Sequence, residues 1–168
     1  MKKILLGVMI ISSFLVVGCS SSENNDMDSV ENVLNEVSKE DGIRIIKSYN
    51  KDLKLEMQDM YDALSEWMNG ESETSDIEDK FLEMQDYSNE KIKEIENISS
   101  EISNNGEDLT EKEGNIIKYT KRNFEDTIEY ISLVLEGISS NDNSKIEKAT
   151  EIVKDIKFSI IAMESLEY

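Results

Sequence analysis

The sequence predicts an all-α protein, an up-down-up-down four-helix bundle that follows a signal peptide and a flexible tether. Three observations predict it. Apolar residues recur at alternating spacings of three and four through four long stretches. Short polar clusters rich in Asn, Ser and Gly separate those stretches. Ser/Thr-x-x-Glu pairs open three of them, as capping boxes do at helix starts.

The first helix is expected over about 41–69. Its seam is Ile43, Ile46, Asn50, Leu53, Met57, Met60, Leu64 and Trp67, and Gly70 suits its C-terminal cap. Asn50 is the polar position on that seam, the kind that fixes register at some cost in stability. The second helix, about 75–103, opens at Ser75-x-x-Glu78 and carries Ile77, Phe81, Met84, Ser88, Ile92, Ile95 and Ile102. The third, about 110–139, opens at Thr110-x-x-Glu113 and carries Ile117, Thr120, Phe124, Ile128, Ile131, Leu135 and Ile138. The fourth, about 144–167, opens at Ser144-x-x-Glu147 and carries Ile146, Ala149, Val153, Ile156, Ile160 and Met163, with Leu166 following. Short connections between long helices make sequential neighbours antiparallel. The bundle therefore occupies residues 41–168.

Ahead of it the chain is of a different kind. Lys2 and Lys3 precede an apolar run from Ile4 to Val17, shorter than the ~20 residues of a permanent span. Residues 1–18 thus read as a signal peptide. Val16-Val17-Gly18-Cys19 resembles the lipobox of bacterial lipoproteins, and that resemblance implies cleavage before Cys19 and a diacylglyceryl thioether on its sulfur. The rest of the span 19–40 reads as a tether, Ser20 to Asp26, then a weak helical pattern at Val30, Val33, Leu34 and Val37. That pattern is either a short helix or an extension of the first long one.

Composition narrows the function. The net charge of −19 becomes −21 once Lys2 and Lys3 are removed. Such a chain repels nucleic acid and is no nucleic-acid binder. It is also repelled by anionic lipid, so the partner at the membrane is the bilayer interior, reached through lipid on Cys19. The expected location is the extracytoplasmic face of the cell membrane. There is no histidine and a single cysteine, Cys19. A di-iron bundle site and a zinc site both lack their usual ligands. Asn141-Asp142-Asn143 and Glu107-Asp108 lack the spacing of a calcium loop and read as solvated turns. No cofactor, no metal and no catalytic residue is expected, and the chain reads as a non-enzyme.

Two surfaces stand out. Arg44, Lys47, Lys51 and Lys54 form a basic stripe at one end, where Glu94, Glu101, Glu164 and Glu167 are placed to neutralise it. At the other end Trp67 precedes Glu71 and Glu73, and the loop carrying Asp142 belongs to the same pole. An aromatic anchor within a polar rim is the anatomy of a recognition patch, so Trp67, Glu71, Glu73 and Asp142 are the candidate partner-binding residues. Burial as a lid on the bundle is the other reading of Trp67.

The lipobox, the serine-rich tether and the last third (Ile131, Glu136-Gly137-Ile138, Asp142, Ile146, Lys148-Ala149, Ile152) together resemble small, uncharacterised helical-bundle lipoproteins of Gram-positive bacteria. The resemblance implies a surface lipoprotein that presents its bundle to another protein. Rival readings are a prophage- or plasmid-encoded superinfection-exclusion lipoprotein and a solute-binding or cell-wall-associated lipoprotein.

Overall fold

The computed structural model describes residues 37–165; Cys19, the tether, most of the 27–40 pattern, Leu166 and Glu167 lie outside them. Four helices follow one another: α1 (Lys39–Met68), α2 (Thr74–Asn104), α3 (Glu111–Ser140) and α4 (Asn143–Ser165). No strand occurs among the described residues.

Cross-helix contacts fix the directions. Tyr49 meets Glu94, and Lys80 reaches the Asp59 carbonyl, so α1 and α2 are antiparallel. Lys121 meets Glu96 and Lys145 meets Glu136, which reverses the chain twice more. Asn50 meets Thr120 and Met57 meets Thr127, so α1 and α3 run parallel. The bundle is up-down-up-down.

Its cross-section is a rhombus. Helix α3 lies against all three others, whereas α2 and α4 do not approach each other. The short diagonal joins α1 to α3, and small polar side chains explain it. Asn50, Thr120, Asn123 and Thr127 are buried there. The Asn50 amide donates to Thr120 Oγ1 at 2.6 Å, and the Asn123 amide donates to Asn50 Oδ1 at 3.0 Å. Thr127 donates to the Asn123 carbonyl at 2.7 Å. Short side chains let the two backbones come close, and each polar group buried by that approach has a partner. The register role expected of Asn50 thus has two named partners on α3.

The seams of α1 and α4 are buried as expected, with Trp67 only half-buried. On α3 the buried face is turned by about one residue. Ile116, Thr127, Val134 and Gly137 are buried, while Ile117, Ile128, Leu135 and Ile138 are only partly so. A helix that touches three neighbours buries a wider face than a single heptad seam. On α2, Lys91 and Ile98 are buried and Ile92 half-buried.

Helix ends depart from the expected caps in instructive ways. The Thr110–Glu113 capping box forms, with both reciprocal bonds. The Ser75–Glu78 box does not: α2 begins at Thr74, and its N-cap is Glu73, without a side-chain bond. The Ser144–Glu147 box is replaced by Asp142, whose Oδ1 accepts from the Ser144 amide at 3.0 Å and hydroxyl at 2.7 Å. Asp142 stands two residues earlier and carries a full charge, which suits it to accept from the Ser144 amide at the start of the helix. Ser38 caps α1 in extended conformation, so the 27–40 pattern does not continue α1 as an unbroken helix. Gly70, Gly106 and Asn141 take left-handed backbone angles where α1, α2 and α3 end. At each, the next amide bonds back five residues to Glu66, Ile102 or Gly137.

Candidate functional site

The pole that carries Trp67 gathers the turns after α1 and α3, as the up-down order requires. Its four candidate residues split into two kinds. Trp67 packs against the core and its Nε1 donates to Thr74 Oγ1 at 3.1 Å, clipping α1 to the start of α2. Asp142 caps α4, and its carboxyl is held below the usual range by the Ser144 hydroxyl and amide. Glu71 and Glu73 are exposed. No hydrogen bond or ion pair joins Asp142 to Trp67, Glu71 or Glu73 among the described residues. Met68 beside Trp67 is exposed.

Among the described residues the basic stripe meets one of its expected partners, Glu164. Arg44 pairs with Asp41 on its own helix, and Lys54 pairs with Glu164 at 2.9 Å. Glu94 does not serve the stripe. It accepts from Tyr49 and from Lys91 at 2.8 Å, on the α1–α2 side, whereas the stripe faces α4. Among the described residues Lys47 and Lys51 meet no carboxylate. They flank a cavity of only about 10 Å³ beside Asn50 and Ile160, room for no more than one water.

Lys91 is a buried charge on the seam of α2, at the place that apolar spacing gives to Ile92. It is 8% exposed, and its ammonium lies 4.8 Å from the Tyr49 ring and 5.4 Å from the Tyr87 ring. Two aromatic faces and the Glu94 carboxylate replace its hydration. Burial first, and then Glu94, pushes the Tyr49 phenol up. Tyr87 is raised by burial and by the charges of Asp52 and Glu56. The sequence carries two Ser-x-x-Lys spacings, Ser48–Lys51 and Ser88–Lys91. Ser88 Oγ is buried without a hydrogen-bond partner, yet the Lys91 ammonium goes to Glu94 rather than to that hydroxyl. The pair is not set up as nucleophile and base, because the base would have to accept the serine proton.

Glu107 and Asp108 are engaged by α1. The Lys39 amide donates to Glu107 Oε1, and the Lys39 ammonium to the Asp108 carbonyl, both at 3.1 Å. No cluster with the makings of a metal site occurs among the described residues. An open groove of about 370 Å³ runs past Ser99, Ser103 and Leu109 at this end.

The surface feature that the seam analysis passes over lies on α4. Phe158 is 71% exposed and Ile161 56%. They stand three residues apart, so they adjoin on one face of the helix. Lys154 lies one turn before Phe158, and Lys157 lies 5.3 Å above the ring of half-exposed Tyr61 on α1. Ile161 falls between that contact and the Lys54–Glu164 pair, along the α1–α4 edge. The signal was available in the sequence as two large apolar residues off the seam. Helix α4 is also the only one of the four with no net charge, four lysines against four acids. Helix α2, across the long diagonal, carries nine acids against three lysines.

No described helix is long and apolar enough to cross a membrane. Comparison with protein-family models, with curated proteins and with solved structures finds no match.

Proposed function

We propose that the chain is a lipoprotein of the extracytoplasmic membrane face, diacylated at Cys19, whose bundle binds protein and carries out no reaction of its own. The anchor rests on Lys2-Lys3, the apolar run and Val16-Val17-Gly18-Cys19. Binding rests on one observation above the rest: Phe158 and Ile161 lie in solvent beside Tyr61, Lys154 and Lys157 on a body that is otherwise strongly acidic. A large aromatic left in water forgoes the transfer free energy of burial, ~2 kcal/mol, and a patch of such residues marks a contact surface. Glu71, Glu73 and Met68 remain available at the Trp67 pole as a secondary contact. Trp67 and Asp142 already hold helix ends together, so the weight of recognition moves from the pole to the α4 face.

The test has two arms. Cys19→Ala releases the protein from the membrane fraction and abolishes acyl labelling; retention on the membrane would overturn the anchor. A photo-crosslinking amino acid at position 158, in intact cells, yields a covalent protein adduct. The same group at Glu136, on exposed α3 surface, does not. Equal yields at the two positions would overturn the assignment of the α4 face.

A further inference from the structure

We propose that copies of this chain associate side by side, the Phe158–Ile161 face of α4 on one copy meeting the Leu82 face of α2 on the next. The proposal rests on reading the α4 face as a docking surface, and takes the lipid anchor only as the reason copies stand parallel.

Leu82 is the counterpart on α2. It is 48% exposed, with Glu78, Asp79 and Asp86 within one turn on the same helix. The α4 face has the opposite character. Lys154 and Lys157 adjoin Phe158, Lys154 pairing also with Glu151 at 2.6 Å on the side away from Phe158 in sequence, and Asp155 is the one acid within a turn of Phe158. An apolar centre with a basic rim thus stands at one end of the long diagonal, and an apolar centre with an acidic rim at the other.

Height along the bundle brings the two into register. Phe158 follows Lys157, which stands over Tyr61. Leu82 lies two residues from Lys80, which reaches the Asp59 carbonyl. Tyr61 and Asp59 are two residues apart on α1, so Phe158 and Leu82 lie within about one turn, ~5 Å, of the same height. Copies that stand with parallel axes on one membrane therefore bring Leu82 against Phe158 without sliding. Lys154 and Lys157 then face the acids around Leu82.

Such a contact is heterologous: each copy uses one face to give and another to receive. Repeated, it makes a ring or an open row in the membrane plane. The net charge of each copy opposes association, but charges further apart than ~8 Å are largely screened at physiological salt. Local complementarity decides at the contact.

The experiment uses the full chain in intact cells. Leu82→Cys and Phe158→Cys are made singly and together, and a short bismaleimide is added. The double variant gives a ladder of multimers on denaturing gels, and neither single variant does. Dimers from Phe158→Cys alone mean that α4 pairs with its own copy, which overturns the proposal. A double variant whose two thiols react but yield no multimers overturns it as well. Lys154→Glu with Lys157→Glu, placed in the double-cysteine background, removes the ladder while the helical circular dichroism is unchanged; a ladder that survives overturns the proposed pairing. The unaltered chain is the control for the anchor. Its only thiol is Cys19, so a crosslinked dimer there means an unlipidated cysteine, whatever the ladder shows. If the ladder fails while the photo-crosslinker at 158 still captures a different protein, the docking face stands and self-association falls.

Discussion

Helix α1 meets two of its neighbours, α3 and α4, in opposite ways. Against α3 it buries Asn50 among Thr120 and Asn123, closes the backbones together and leaves those amides satisfied. Against α4 it relies on surface contacts, a Lys54–Glu164 pair and a lysine over Tyr61. The first contact specifies the fold, because few other registers satisfy the same buried groups. The second adds little, since exposed ion pairs contribute ~0.2–1 kcal/mol. An edge held so loosely is free to carry side chains chosen for something outside the molecule.

Two phenylalanines give that contrast its largest test. Phe124 is fully buried on α3, with Tyr87 edge-on to its ring at 6.1 Å. Phe124→Ala is expected to cost about 3–5 kcal/mol by chemical denaturation. Phe158→Ala is expected to stay within ~0.5 kcal/mol of the parent. If the two costs come within ~1 kcal/mol of each other, then Phe158 is buried in solution and α4 packs by another face.

Asn50→Ala comes next. It removes the acceptor of the Asn123 amide and the donor to Thr120, and leaves both buried without their cross-helix partner. The expected loss is ~1–3 kcal/mol in the same denaturation experiment. Gly137→Ala probes the α3–α4 turn at a similar scale. An added Cβ would stand 2.7 Å from Ile146 Cγ1 and 3.2 Å from the Asp142 carbonyl oxygen. The backbone at Asp142 is pinned by its own cap, so only Ile146 can yield, and the cost is expected at ~1–3 kcal/mol.

How far the sequence reveals all this depends on what a residue has to compete with. The α1 and α4 seams are legible because each of those helices buries one stripe, so a heptad count finds Leu53 and Ile156 alike. Helix α3 defeats the count. It sits on the short diagonal and buries Asn123, Thr127 and Tyr130 as well, and polar residues at such positions look like surface. The Thr110 box is legible because both of its reciprocal bonds form as the Thr-x-x-Glu pattern predicts, even with Asp108 two residues earlier. The Ser144 box is not, since Asp142 two residues earlier takes the amide. Lys91 keeps the alternating three-four spacing between Ser88 and Ile95, but its charge reads as solvent-facing, and the meeting of Tyr49 and Tyr87 across two helices is what makes room for it. Phe158 and Ile161 were visible as apolar residues off the seam, but their neutral setting emerges only when α4 is compared with α2.

A smaller effect separates carboxylates at the helix caps from those along the α1–α2 edge. Burial raises the Asp52 carboxyl, against the pull of Lys91, and burial followed by Asp59 raises that of Glu56. A raised folded pKa means that the native state binds more protons, so these two groups destabilise the fold at neutral pH and cease to do so as they protonate. The Asp41, Glu113 and Asp142 carboxyls are lowered, by Ser38, Thr110 and Ser144 respectively, and contribute stability that disappears as pH falls through their folded values. The melting temperature is therefore expected to rise as falling pH reaches the raised values of Asp52 and Glu56, and to fall again below the ordinary carboxylate range as the three cap carboxylates protonate. Asp52→Asn with Glu56→Gln flattens the rise without moving the acid limb. A melting temperature that falls steadily from pH 7 downward would refute the edge assignment.

The smallest expected effect bears most directly on what the α1–α4 edge is for. Lys47 and Lys51 are one turn apart with the same charge, and no described carboxylate separates them. Like charges at that spacing cost a few tenths of a kcal/mol. Lys51→Glu replaces the repulsion with attraction to Lys47 and Lys54, and is expected to stabilise the protein by ~0.2–0.5 kcal/mol. The opposing possibility is that the Lys51 stem shelters Ile160 and Met163, which line the same small cavity. Lysine stems do cover apolar surface in this way, and the substitution would then destabilise. Lys51→Met separates the two, because it keeps the stem and removes the charge. If Lys51→Met and Lys51→Glu both raise the melting temperature, the lysine stands there at the expense of stability, and the reason for it lies in contacts that α1 and α4 make beyond their own bundle.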